Sequence, residues 1–131
     1  MKRHGMLNSH ISKILTDLGH TDQIVIADAG LPIPEGVLKI DLSLKLGTPS
    51  FKEVVSVIAD DMVIEKIVIA SEMETQNPAT YQFMNKHFPK VLKEKVSHET
   101  LKDLTRNAKA VIRTGEATPY ANCILQAGVI F

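Results

Sequence analysis

Residues 24–27 read Ile-Val-Ile-Ala, an unbroken β-branched and small apolar run. It lies between Gly19-His20-Thr21-Asp22-Gln23 and Asp28-Ala29-Gly30-Leu31-Pro32. Polar residues before the run and glycine and proline after it leave room for a strand but not for a helix, and the absence of alternation means that both faces are buried. A strand of that kind needs a sheet with helices on either side. Asp28 stands where the strand ends, and ligands of open α/β sheets collect at the carboxyl ends of strands.

The rest of the chain supplies the other layers. Leu7, Ile11, Ile14, Leu15 and Leu18 recur at helical spacing, with Asn8 or Ser9 as the cap and Gly19 as the stop. Residues 29–36 form a loop rich in proline and glycine, and 37–40 a short second strand. Pro49-Ser50 opens a helix whose inward stripe is Phe51, Val54, Val55, Ile58 and Ala59. Residues 66–70 repeat the buried-strand pattern, 71–77 read as a polar loop in which Glu72 and Glu74 are solvated, and Pro78 begins a helix carrying Tyr81, Met84 and Phe88. Residues 91–96 alternate apolar with charged side chains, as an edge strand does. Ser97 caps a helix from 98 to about 107, 108–113 read as a strand, and 114–119 turn the chain. A last strand covers 123–125 and 129–131 with a bend at Gly128. Strands alternating with helices predict an α/β fold: a single-domain three-layer αβα sandwich over 1–131 with a mostly parallel or mixed central sheet.

Composition excludes several functions. Fifteen Lys and Arg balance fifteen Asp and Glu in 131 residues, so there is no basic footprint for a nucleic-acid backbone. No apolar run approaches the roughly 20 residues of a membrane helix. Cys123 is the sole cysteine and has no intramolecular partner. With no secretory leader visible, the expected compartment is the cytoplasm. Neither G-x-G-x-x-G nor G-x-x-x-x-G-K-[ST] occurs, and no H-x-x-x-H or C-x-x-C pair offers a metal site. An Asp-x-Asp phosphotransferase motif fails at Gly30.

Four places could carry chemistry. His20 is either a loop histidine closing a helix end or a general acid or base, since imidazole titrates nearest neutrality. Asp28 either holds an Asx turn or binds a ligand. His98 and Lys102 lie four apart on one helical face, which is either solvated or directed at ligand oxygens. Tyr120 and Asn122 either close the sheet end or present a ring and an amide to a ligand. Together an aromatic face, an amide, a carboxylate and imidazoles make a sugar site.

The sequence resembles the D-ribose pyranase family, which is grouped with the L-fucose mutarotases. The resemblance runs along the whole chain. It is carried by Met1-Lys2-Arg3-His4-Gly5 with Leu7-Asn8, by Gly19-His20-x-Asp22, by residues 24–34 ending Asp-Ala-Gly-Leu-Pro-Ile-Pro, by His98 with Lys102, and by residues 112–122 with Ala127-Gly128-Val129. It implies an isomerase interconverting the β-pyranose and β-furanose forms of ribose and supplying a ribokinase. It also implies no cofactor and a ring-shaped homo-oligomer, a decamer of two pentamers. His20 matches the catalytic acid, and Asp28, His98, Lys102, Tyr120, Ala121 and Asn122 match the sugar contacts. The alternatives are an L-fucose-type mutarotase and a non-catalytic sugar-binding accessory to ribose transport.

One geometric problem follows. At about 3.3 Å per residue, an extended strand over 24–28 separates His20 from Asp28 by roughly 15–20 Å. Either residues 20–23 fold back or a neighbouring subunit completes the site.

Overall fold

The computed structural model describes residues 1–131. In chain order the elements are α1 (Ser9–Asp17), β1 (Gln23–Ala27), β2 (Leu38–Asp41), α2 (Phe51–Ala59), β3 (Ile64–Ala70), α3 (Met73–Gln76), α4 (Pro78–His87), β4 (Leu92–Val96), α5 (His98–Leu104) continued by a 3-10 turn (Thr105–Asn107), β5 (Ala110–Arg113) and β6 (Cys123–Ala127). The strands form one sheet in the order β2-β5-β1-β6-β3-β4. β1 and β2 run parallel to β5, and β3 runs parallel to β4. β6 lies antiparallel between β1 and β3. The sheet is therefore mixed, and β4 is an edge strand as its charge alternation predicts.

Alternate residues of the central strands serve two cores. Ile24, Ile26, Ile67, Ile69, Ile112, Cys123 and Leu125 face one side, where they meet Ile11 of α1, Phe51, Val54, Val55 and Ile58 of α2, and Met84 of α4. Val25, Ala27, Val68, Ala70, Val111 and Ile124 face the other, against Leu101 of α5 and Leu31 of the loop after β1. This is the three-layer α/β arrangement. The helix starts are capped by Asn8, Ser50, Asn77 and Ser97, whose side chains accept from Ile11, Glu53, Thr80 and Thr100 N–H groups. Each cap satisfies a donor that the helix itself cannot.

Three expectations fail. The polar stretch before Pro78 contains α3, because Met73 is fully buried in the larger core and pins one helical turn. Leu7 precedes α1 instead of joining its inward stripe and is exposed. Residues 129–131 do not continue β6: the Gly128 N–H reaches the Val63 carbonyl at 2.9 Å, where β3 has not yet begun, so no strand lies beyond to pair with. Val129, Ile130 and Phe131 are left exposed.

The turn after β5 is packed against the loop before α2 through Gly115, whose N–H donates to Pro49 O at 2.8 Å. A Cβ on Gly115 would collide with the carbonyl oxygens of Lys45 and Thr48. Gly115→Ala is therefore expected to destabilise the protein by about 1–3 kcal/mol, read as a lower urea midpoint with an unchanged slope. An unaltered midpoint would contradict the close approach.

Candidate active site

Polar groups gather at both ends of the sheet. At the carboxyl ends of the parallel strands, Asp28 follows directly on β1. Its N–H donates to Asn122 Oδ1 at 2.7 Å, and Asn122 Nδ2 donates to Asp28 Oδ2 at 2.9 Å. Asp28 Oδ1 accepts the Gly30 N–H at 2.9 Å, so the Asx turn forms while the partly exposed carboxylate keeps lone pairs for a ligand. Asn122 is fully buried, just ahead of β6. Because β6 is antiparallel, its first residues arrive beside the last residues of β1.

Tyr120 and His98 extend this cluster. Tyr120 has φ of 57°, a left-handed conformation that is uncommon for a non-glycine residue, and its carbonyl accepts the Asn122 N–H at 2.9 Å. Its ring meets His98 edge-on, with centroids 5.1 Å apart at 81°. His98 opens α5, and its N–H donates to the Glu72 carboxylate at 2.9 and 3.2 Å. Its Nδ1 is buried and has no hydrogen-bond partner, a state that buried polar atoms rarely keep. Ala121 faces the larger core, so only its backbone is available to a ligand. Lys102 pairs with Glu99 at 2.7 Å and lines a hollow of about 250 Å³ with Pro32, Ile33 and Pro34.

The turn that delivers Tyr120 is held by Glu116. One carboxylate oxygen accepts the Phe51 N–H at 3.0 Å, at the start of α2; the other accepts from the Thr118 N–H at 3.2 Å and its hydroxyl at 2.9 Å. Asn77 Nδ2 adds bonds to Thr118 Oγ1 and Pro119 O. Burial pushes the Glu116 carboxyl up, but the Phe51 N–H and the Thr118 donors outweigh it and hold the group below its ordinary value.

His20 lies at the other end. It sits in a turn where Asp22 Oδ2 accepts the Gly19 N–H at 2.9 Å and the Thr21 N–H donates to Ala127 O at 3.0 Å, with Thr21 at φ of 70°. His20 Nε2 is 2.9 Å from Glu65 Oε2, Gln126 Nε2 donates to Glu65 Oε1 at 2.7 Å, and Gln23 Nε2 donates to Gln126 Oε1 at 3.1 Å. Residues 20–23 therefore do not fold back toward Asp28.

The chain thus links Asp28, His98, Tyr120 and Asn122 through direct contacts and leaves His20 apart from them. Sequence reasoning missed Glu65 and Gln126, which stand at the polar ends of otherwise apolar strands and look like ordinary solvated residues. It also placed Glu72 in solvent, whereas Glu72 anchors the start of α5.

Comparison with known proteins gives a consistent result. The family model described as the RbsD / FucU transport protein family matches residues 1–130. The chain is 64% identical over 131 residues to the D-ribose pyranase of Bacillus pumilus and 60% identical over 131 residues to that of Bacillus subtilis, in each case across 100% of both chains. The solved structure of Bacillus subtilis RbsD complexed with D-ribose superposes with a TM-score of 0.98 at 60% identity, covering 100% of both chains. A fucose mutarotase in complex with L-fucose from Streptococcus pneumoniae gives a TM-score of 0.79 at 22% identity over 95% of each chain, a likeness of fold.

Glu116 gives the turn beside Tyr120 an acid-sensitive anchor. A carboxyl held below its ordinary value near 4.5 contributes stability that is full well above that pH and is lost as pH falls through the lowered folded value. The stability gap between wild type and Glu116→Gln is expected to narrow in urea titrations as pH drops below 4.5. A gap that stays constant across that range would contradict the role.

Proposed function

The chain belongs to the RbsD / FucU transport protein family, and from that membership we propose that it works as the ribose isomerase of the family. It interconverts the pyranose and furanose forms of D-ribose. The observation that carries this reading is identity of 60% or more, along the entire length, to D-ribose pyranases and to a structure holding D-ribose.

The site chemistry suits the reaction. Opening the pyranose removes a proton from the anomeric hydroxyl, breaks the bond between C1 and the ring oxygen, and delivers a proton to that oxygen. Closing the furanose lets the C4 hydroxyl attack C1, lose its proton and return one to the carbonyl oxygen. No net proton is consumed, so one group that both gives and takes protons is sufficient in kind. His20 is the residue we assign to that role. Asp28, Asn122 and the His98 imidazole supply donors and acceptors for sugar hydroxyls, Tyr120 a ring for the C–H face, Ala121 its backbone, and Lys102 a cation at the margin.

His20 and Asp28 stand at opposite ends of β1, and a ribose molecule cannot span roughly 13 Å of five-residue strand. We therefore place the site between two copies, the His20 end of one facing the Asp28 end of another. Leu44, Leu46, Ile130 and Phe131 are each at least 79% exposed, an apolar load that a homo-oligomer would cover. A decamer of two pentameric rings is the assembly that the family resemblance supports. No helix is long and apolar enough to cross a membrane, and a cytoplasmic enzyme would pass its furanose product to a kinase.

In NMR exchange spectroscopy, the protein is expected to speed transfer between ribopyranose and ribofuranose signals. His20→Ala should reduce that rate by about 10²–10⁴-fold without loss of sugar binding. Saturable binding with no acceleration would favour a sugar-binding accessory instead. Mixing His20→Ala and Asp28→Asn chains, each inactive alone, should restore a fraction of the activity if the site is shared. Mixed oligomers that stay inactive would return the whole site to one chain.

A further inference from the structure

We propose that Glu65 is a positioning residue for His20: its carboxylate holds the imidazole as the Nε2–H tautomer and leaves Nδ1 as the nitrogen that exchanges protons with the sugar. The proposal rests on the assignment of His20 as the acid and base, and it says which atom acts and what orients it.

The geometry is a chain of fixed contacts. The backbone around His20 is set first, by Asp22 accepting the Gly19 N–H and by the reciprocal bonds of Thr21 N–H to Ala127 O at 3.0 Å and Ala127 N–H to Asp22 O at 2.8 Å. The ring is then set by Glu65 Oε2 at 2.9 Å from Nε2. A carboxylate can only accept, so Nε2 must donate; a flipped ring would put a C–H there instead. Glu65 is in turn fixed by Gln126, and Gln126 by Gln23, at 2.7 and 3.1 Å. Gly128 keeps the space open, since a Cβ there would stand 3.3 Å from Glu65 Cβ. The bonds from Gln126 and His20 hold the Glu65 carboxyl below its ordinary value, so it is ionised at neutral pH. When Nδ1 takes a proton from the anomeric hydroxyl, that negative charge faces the imidazolium it creates. The other charged pair in the turn, Asp22 with Lys109 at 3.8 Å, carries no contact to the ring.

An exposed ion pair by itself stabilises a fold little, so Glu65→Gln should fold and bind ribose normally. It is expected to lower kcat by about 10-fold or more, short of the roughly 10²–10⁴-fold of removing the imidazole, with KM for ribose unchanged. In ¹⁵N-histidine-labelled protein, the His20 signals should show protonated Nε2 and bare Nδ1 in wild type, and a mixture of tautomers in Glu65→Gln. The proposal is overturned if kcat and the ring signals of Glu65→Gln match wild type, if wild-type His20 carries its proton on Nδ1, or if activity falls only together with ribose affinity. His20→Ala measured alongside separates the two levels: full activity in that variant would remove the acid assignment itself, and this inference with it.

Discussion

The antiparallel strand β6, inserted between β1 and β3, is the constraint on which the site depends. Its register sets Cys123 opposite Ile26 of β1 and Ile69 of β3. That register sends Cys123 and Leu125 into the larger core and Ile124 into the smaller one. A slip of one residue would exchange the two faces, placing Gln126, which should stay at the rim, where Leu125 packs. The direction of β6 matters as much as its register. Running against its neighbours, it carries Asn122 to the carboxyl end of β1, beside Asp28, and carries Gln126 to the amino end of β3, beside Glu65. Both polar clusters are thus positioned by the ends of one buried strand.

The two clusters also share a kind of backbone. Among non-glycine residues, positive φ occurs at Thr21 and Tyr120, one adjoining His20 and the other itself a member of the Asp28 cluster. Such conformations cost of order 1–3 kcal/mol each and persist where the surroundings over-determine them. Here the surroundings are on hand: reciprocal bonds between the His20 turn and Ala127, and the Asn122 N–H on the Tyr120 carbonyl.

How much of this was legible in the sequence depended on the range of the interaction. The strand over 24–27 was readable from its unbroken apolar run, the helix stripe Phe51, Val54, Val55, Ile58 from the period that burial imposes, and the caps at Asn8 and Ser97 because each bonds within three residues; Asn77, which caps α4, was hidden in a stretch that reads as a polar loop. Met73 was not readable, since one inward side chain in a four-residue helix sets no period. The separation of His20 from Asp28 followed from strand geometry alone. Their pairing with Glu65 and Asn122 did not, because those partners lie 45 and 94 residues away and a glutamate beside a lysine at the start of a strand looks like any solvated one. The link to ribose came from resemblance over many motifs together, which no single spacing supplied.

The exposure of His20 is in keeping with the chemistry proposed for it. Its side chain is 53% exposed in the single chain, far from the enclosed setting that reactions needing strong electrostatic stabilisation demand. Hemiacetal opening proceeds in water unaided, so a site for it needs a proton carrier of the right tautomer and a sugar held still, more than it needs a dry cavity. On the proposed assignment, Glu65 would address the first need with an acceptor-only group, and the Asp28–Asn122 pair, locked by two hydrogen bonds, would address the second with a rigid one. If the site lies between two copies, as proposed, a neighbouring copy laid across the sheet end would supply the wall that brings these groups together, and the same contact would cover exposed apolar side chains such as Ile130 and Phe131.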